Sequence, residues 1–246
     1  MSSAPARLRS RLLPAAAATL AVAALAGAAW YGFDSIASQP IRRVAFAGDT
    51  GKIAPSDLEA FARGVAGAGA AGAGSLAAVR EAARRIPWVR EATVRRIFPD
   101  AVEVAFETHQ ALARRDDGSL VSVRGDVFNA EYAGDLPRFS GPEGSAAAMT
   151  REYPAIRAAV GPLDATVKEL RLTPRGAWQA VLAMSPPSPK RDGDLVLELG
   201  RGDILPRLAR FAAAWTQLAP DARATRHADL RYANGFALER EKPKTK

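Results

Sequence analysis

The 246-residue sequence predicts an α+β protein with a single N-terminal transmembrane helix, a small βααββ domain and a C-terminal, mostly antiparallel β-domain with flanking helices. Three observations carry this expectation. Leu12 to Phe33 is a 22-residue run without a charge, and about 20 apolar residues suffice to cross a bilayer. Residues 41–107 order their hydrophobic periodicities as strand, helix, helix, strand, strand. Beyond His109 short alternating segments separated by turn residues take over, interrupted by two helical patterns.

The N-terminal run comes first. Arg7, Arg9 and Arg11 precede it with no acidic residue, a bias that keeps residues 1–11 cytoplasmic and exports the rest. Trp30, Tyr31 and Phe33 suit the outer membrane–water interface. The rival is a cleavable signal peptide, because Ala24-Leu25-Ala26 is a small-x-small triplet after an apolar core. Continuation of the run into an aromatic belt favours a retained span over 12–33.

Residues 41–108 form the second part. Ile41–Gly48 reads as a strand with Val44 and Phe46 on one face, closed by Gly48-Asp49-Thr50-Gly51. Ser56-Asp57-Leu58-Glu59 has capping-box order before a short helix that buries Leu58, Phe61, Ala62 and Val65. Ala66–Gly74 is a flexible Ala/Gly loop. Ser75 can cap a second helix with Leu76, Val79, Ala83 and Ile86 in a stripe, ended by Pro87, whose ring clashes with helical backbone before it. A strand, the turn Phe98-Pro99-Asp100 and a second strand follow, the latter alternating Val102, Val104 and Phe106 with Glu103, Ala105 and Glu107. Trp88, placed just after the helix-ending proline, is expected to anchor the second helix to the sheet.

In residues 109–240 the strand candidates are Ala111–Arg115, Leu120–Val123, Val167–Thr173, Ala177–Met184, Leu195–Leu199 and Ala228–Tyr232. Asp116-Asp117-Gly118 and Asn234-Gly235 are turn signals between them. Ser145–Val160 reads as a helix broken or kinked at Pro154, and Ile204–Leu218 as a helix with Leu205, Leu208, Phe211 and Trp215 on one face. Met184–Asp194 is an exposed loop, and 241–246 a disordered basic tail.

Composition and motifs narrow the function. The net charge of +8 sits mostly at the ends, since residues 12–239 carry 27 basic against 25 acidic side chains. That body has no phosphate-tracking excess, which argues against nucleic-acid binding. With 48% apolar residues the chain can bury one large or two small cores, and with no cysteine it forms no disulfide, thiolate nucleophile or Cys-ligated zinc site. Gly67-Ala68-Gly69-Ala70-Ala71-Gly72 matches G-x-G-x-x-G literally, yet a helix rather than a strand precedes it, so no dinucleotide-binding unit exists. Gly48-Asp49-Thr50-Gly51-Lys52 lacks the spacing of a phosphate loop, and Asp203 in Arg201-Gly202-Asp203 reads as a helix N-cap. His109 and His227 have no partner motif and read as surface or boundary residues. No catalytic, metal or cofactor constellation emerges, and the sequence argues for binding rather than catalysis.

The order Pro87-Trp88-Val89, Ala92, Val94, Arg96, Pro99-Asp100 resembles the second half of the POTRA module in the FtsQ/DivIB family of bitopic bacterial cell-division proteins. The likeness continues. Leu120-Val121 with Gly125 and Phe128, Leu136-Pro137 with Gly141-Pro142, Thr173–Trp178, Leu197–Arg201, Arg207–Phe211 and Asp229–Gly235 resemble family segments in the same order. The resemblance implies a non-enzymatic divisome scaffold in the inner membrane at the septum, linking early and late division proteins through periplasmic contacts. Its POTRA domain (41–108) would help localise it, and its β-domain (109–240) would bind the small membrane proteins FtsB and FtsL. Ala213 replaces an acidic residue of some relatives, and Arg240 stands where some carry an aromatic. The alternatives are a POTRA-containing polypeptide-transport or outer-membrane assembly factor, for which the segments after His109 lack the long strands of a barrel, and a soluble periplasmic enzyme released by signal cleavage, for which no catalytic constellation is present.

The partner site is expected on the C-terminal strand around Asp229–Leu238. In a strand the adjacent Arg231 and Tyr232 point to opposite faces, so one of them is outside the core, and both residue types are favoured at binding hot spots. A last strand also tends to lie at a sheet edge, open to strand addition by a partner. On residues alone, a buried Tyr232 with a solvated Arg231 is an equal reading. The resemblance tips the balance to an FtsB contact through Arg231, Tyr232, Asn234 and Gly235, with Arg175 as a weaker position on the neighbouring hairpin.

Overall fold

The computed structural model describes residues 22–28, 30, 41–67, 75–185 and 193–239. Most of the 12–33 run, the Ala/Gly loop at 68–74, most of the Met184–Asp194 loop, Arg240 and both tails fall outside them. Residues 22–28 and Trp30 are helical, and among the described residues no helix is long and apolar enough to cross a membrane. The chain divides into two compact units between Thr108 and His109.

In the first unit β1 (Arg43–Gly48) pairs parallel with β3 (Ala101–Thr108), which pairs antiparallel with β2 (Val89–Ile97), so β3 is central. Helices α1 (Pro55–Gly67) and α2 (Leu76–Ala83) supply Phe61, Val65, Val79 and Ala83 to a core shared with Val102, Val104 and Phe106. Three of its rings, Phe46, Phe61 and Phe106, lie 5.8–6.2 Å apart. Two boundaries differ from expectation. Helix α1 begins at Pro55, with the Ala54 carbonyl accepting from Asp57 and Leu58, so Ser56 lies in the first turn instead of capping it. Proline is well suited to that first position, where its missing N–H costs nothing. Helix α2 does start after Ser75, whose side chain makes no cap bond, but ends at Ala83; Arg85 and Ile86 make tight turn bonds to Ala82 and Ala83 before Pro87. Trp88 is half-buried against the core, with Lys52 Nζ 5.5 Å from its ring centroid.

Among its described residues the second unit is a nine-stranded sheet with two α-helices on one face. Its strands are β4 (Ala111–Arg115), β5 (Leu120–Ser122), β6 (Val127–Phe128), β7 (Arg138–Ser140), β8 (Ala165–Leu172), β9 (Trp178–Met184), β10 (Leu195–Gly200), β11 (His227–Asp229) and β12 (Ala237–Leu238). They lie in the order β12-β11-β10-β9-β8-β7-β4-β5-β6, mostly antiparallel, with parallel pairs at β10/β11, β7/β8 and β4/β7. Helices α3 (Ala146–Val160) and α4 (Leu205–Trp215) cover the apolar face, where Met149, Tyr153 and Ile156 of α3 and Leu208, Phe211 and Trp215 of α4 meet Leu170, Leu182, Leu197 and Leu199.

Three expectations change here. Helix α3 is one element with Pro154 inside it; buried Tyr153, Ile156 and Val160 on both sides of the proline hold the segment on the sheet and outweigh one lost backbone bond. The cap of α4 is Ile204, with Asp203 one residue outside and no side-chain cap bond. His109 stands at the boundary between the two units, as one of its two readings had it, but it is buried rather than at the surface, stacked on Phe128 at 4.2 Å and 3.8 Å from the Asp126 carboxylate.

Candidate partner-binding site

The sheet end that carries the candidate residues is built by strand direction. The pairings place the C-terminal ends of β8, β10 and β11 beside the N-terminal ends of β9 and β12. The β8–β9 turn with Arg175 and the 230–236 turn therefore emerge at the same end. They are separated by the width of β9 to β11, about 10 Å at ordinary strand spacing. Arg175 is exposed in a turn closed by Gly176 N–H and the Thr173 carbonyl, 2.9 Å apart.

The strand expected over Ala228–Tyr232 stops at Asp229, and β11 is interior, paired parallel to β10 and antiparallel to β12. Arg231 and Tyr232 therefore do not sit in an edge strand. They belong to the turn between β11 and β12, which Asn234-Gly235 signalled in the sequence. Among the described residues the outer edge is β12: the Glu239 N–H bonds the His227 carbonyl at 3.0 Å, which by antiparallel alternation turns the backbone N–H and C=O of Leu238 to the open side.

The turn is fixed from four sides. Leu230 is 1% exposed and its N–H donates to Glu198 at 2.9 Å. Arg231 donates to both oxygens of Asp229, Nε at 2.8 Å and Nη2 at 2.6 Å, and its backbone N–H reaches the same carboxylate at 3.0 Å. These bonds, chiefly the side-chain one, hold the Asp229 carboxyl below its usual range and raise Arg231. Arg210 of α4 donates to the Ala233 carbonyl at 2.6 Å. Phe236 meets Phe211 edge-on at 5.0 Å. Gly200 contributes by what it lacks: its φ is +78°, and a Cβ there would lie 2.9 Å from Arg231 Cγ. On this fixed turn Tyr232 is 57% exposed and Asn234 is exposed, while Gly235 is half-buried.

Beside the turn the solvent face of the sheet carries a polar ladder. Arg171 Nη1 donates to Gln179, Gln179 to Glu198 at 2.5 Å, and His227 lies 3.6 Å from Glu198 and 3.7 Å from Glu239. Sequence reasoning missed Asp229, Arg210 and Gly200 as the parts that hold the turn. The i,i+2 spacing of Asp229 and Arg231 was the only local sign. Ala213 is exposed on α4.

Among the described residues this arrangement offers an aromatic, an arginine and an open strand edge. The model for the C-terminal part of cell division protein FtsQ/DivIB matches residues 111–231, and the FtsQ-type POTRA domain matches 40–107. The chain belongs to the FtsQ/DivIB family. The cell division protein FtsQ of Burkholderia pseudomallei is 38% identical over 167 residues, 65% of this chain and 63% of the relative. That of Xanthomonas campestris pv. campestris is 31% identical over 204 residues, 82% of this chain and 70% of the relative. The Escherichia coli FtsQ is 31% identical over 163 residues, 63% and 56% of the two chains. The FtsQ/DivIB match ends at Arg231, one residue before Tyr232.

Proposed function

We propose that the protein is a non-enzymatic divisome scaffold, anchored in the inner membrane by a single span over 12–33 with its N-terminus cytoplasmic, and that its periplasmic body links early and late division proteins at the septum. Its POTRA domain is residues 41–108 and its β-domain 109–240. The β-domain binds FtsB, and through it the FtsB–FtsL pair, at the turn of Arg231, Tyr232, Asn234 and Gly235, with Arg175 at the periphery. The carrying observation is an exposed Tyr232 on a rigid turn that leads directly into the open edge of β12. Such a surface suits a partner that adds a strand and packs a side chain on the tyrosine: backbone bonds supply the length of the contact and the aromatic its anchor. Because the turn is already ordered, little entropy is lost when it binds.

The test is FtsB binding. Tyr232→Ala should weaken it by roughly 30-fold, the equivalent of a hot spot of about 2 kcal/mol, with circular dichroism and melting temperature near those of the parent. Leu238→Pro removes the outward N–H and should weaken it independently. Unchanged affinity in folded Tyr232→Ala protein would move the site elsewhere.

A further inference from the structure

The β2–β3 tip of the first unit exposes apolar groups that neither the core nor the candidate site uses. Ile97 is 41% and Phe98 54% exposed, and Pro99 is exposed beside them. Four arginines surround these residues, Arg42, Arg43, Arg95 and Arg96, against two carboxylates, Asp100 and Glu103. Arg43 bonds Asp100 at 2.6 Å, Arg95 bonds Glu103 at 2.6 Å, and the Arg96 guanidinium lies 5.6 Å from the Phe98 centroid.

The position of the tip follows from register. Arg43 pairs with Ala101, and the Arg42 N–H donates to the Asp100 carbonyl at 2.8 Å. The tip therefore lies where the chain enters the domain, seven residues (34–40) after the apolar run. Seven residues reach at most about 25 Å. A domain so tethered faces the bilayer at high local concentration, and a weak contact is enough to hold it there. Aromatic and aliphatic side chains flanked by arginines match the layer where acyl chains meet headgroups, and an excess of two positive charges matches anionic lipid.

We propose that the β2–β3 tip docks on the membrane surface, Ile97 and Phe98 entering the interface and the surrounding arginines contacting anionic phospholipid headgroups. This rests on the retained span of residues 12–33.

The chain has no cysteine, so Ile97→Cys gives a single nitroxide site, and Gly51→Cys, beyond the other end of β1, gives a reference. The full chain is reconstituted in phosphatidylcholine vesicles with and without phosphatidylglycerol, and collisions with oxygen and with a water-soluble nickel chelate are compared. The expected result is that the label at 97, but not at 51, gains oxygen and loses nickel contact when phosphatidylglycerol is present, and that Arg42→Glu with Arg96→Glu abolishes the gain in a protein with unchanged circular dichroism. Equal nickel access at 97 and 51 in a chain that resists alkaline extraction overturns the docking while leaving the anchor intact. Nickel protection at 97 that appears only when other division proteins are added overturns it in favour of a protein contact. A chain released by alkaline extraction overturns the anchored reading and this one with it.

Discussion

Asp229 accepts three bonds from Arg231, and its carboxyl is held below the usual range mainly by the side-chain bond. A depressed carboxyl contributes stability that is present above its unfolded value, about 3.9, and is lost as pH falls through the lower folded value. The backbone resonances of Arg231 to Asn234 should thus be unchanged from neutral pH to about pH 4 and broaden only below it. Broadening near pH 6 would assign the order of this turn to another group. Gly200→Ala sets a Cβ against Arg231 and forces a side chain into φ +78°. It should destabilise the second unit by about 1–2 kcal/mol in denaturant unfolding, and a neutral result would mean that Arg231 moves aside without cost. Trp88 tells against its sequence reading in degree: Trp→Ala in a full core costs about 3–5 kcal/mol, but at half burial Trp88→Ala should cost about 2 kcal/mol in the first unit's thermal unfolding. What the sequence hid at this scale was partner choice. Arg231 could be read as a candidate and its clamp on Asp229 is local, but its fit over Gly200 depends on β10 and β11 being neighbours.

Elements were legible where one local force dominates. The alternation of Val102, Val104 and Phe106 and the stripe of Leu208, Phe211 and Trp215 both reach the core as read. Boundaries were less legible where two forces compete. Helix α2 stops at Ala83, three residues short of Ile86, the last position Pro87 permits, and gives way to tight turn bonds, whereas Pro154 leaves α3 a single element because the helix is packed on a sheet. Short strands gave the weakest signal. Two-residue β12 has no period to read, and only Asn234-Gly235 announced the reversal that makes it the edge and β11 interior. In the same hairpin Arg210 of α4 holds the Ala233 carbonyl. Arg210→Ala should weaken FtsB binding roughly fivefold, about 1 kcal/mol, with little change in melting temperature. Equal losses of affinity and stability would make Arg210 a structural residue only.

For the whole molecule, the ordered series of motifs from Pro87 to Gly235 identified the family, because agreement in order along a chain is far more specific than any single match. The sequence reading put the open edge on a last strand carrying Arg231 and Tyr232; the edge lies instead on β12, through the parallel placement of β11 beside β10 and the return of β12. In the proposed function this edge, with Tyr232 beside it, receives FtsB. Hydrogen exchange of individual backbone amides in the full chain, with and without FtsB, tests it most directly. The Leu238 amide faces the open side and should exchange rapidly alone and slowly in the complex, in step with protection around Tyr232. Saturating FtsB that leaves Leu238 and residues 231–235 exchanging at their free rates would contradict it.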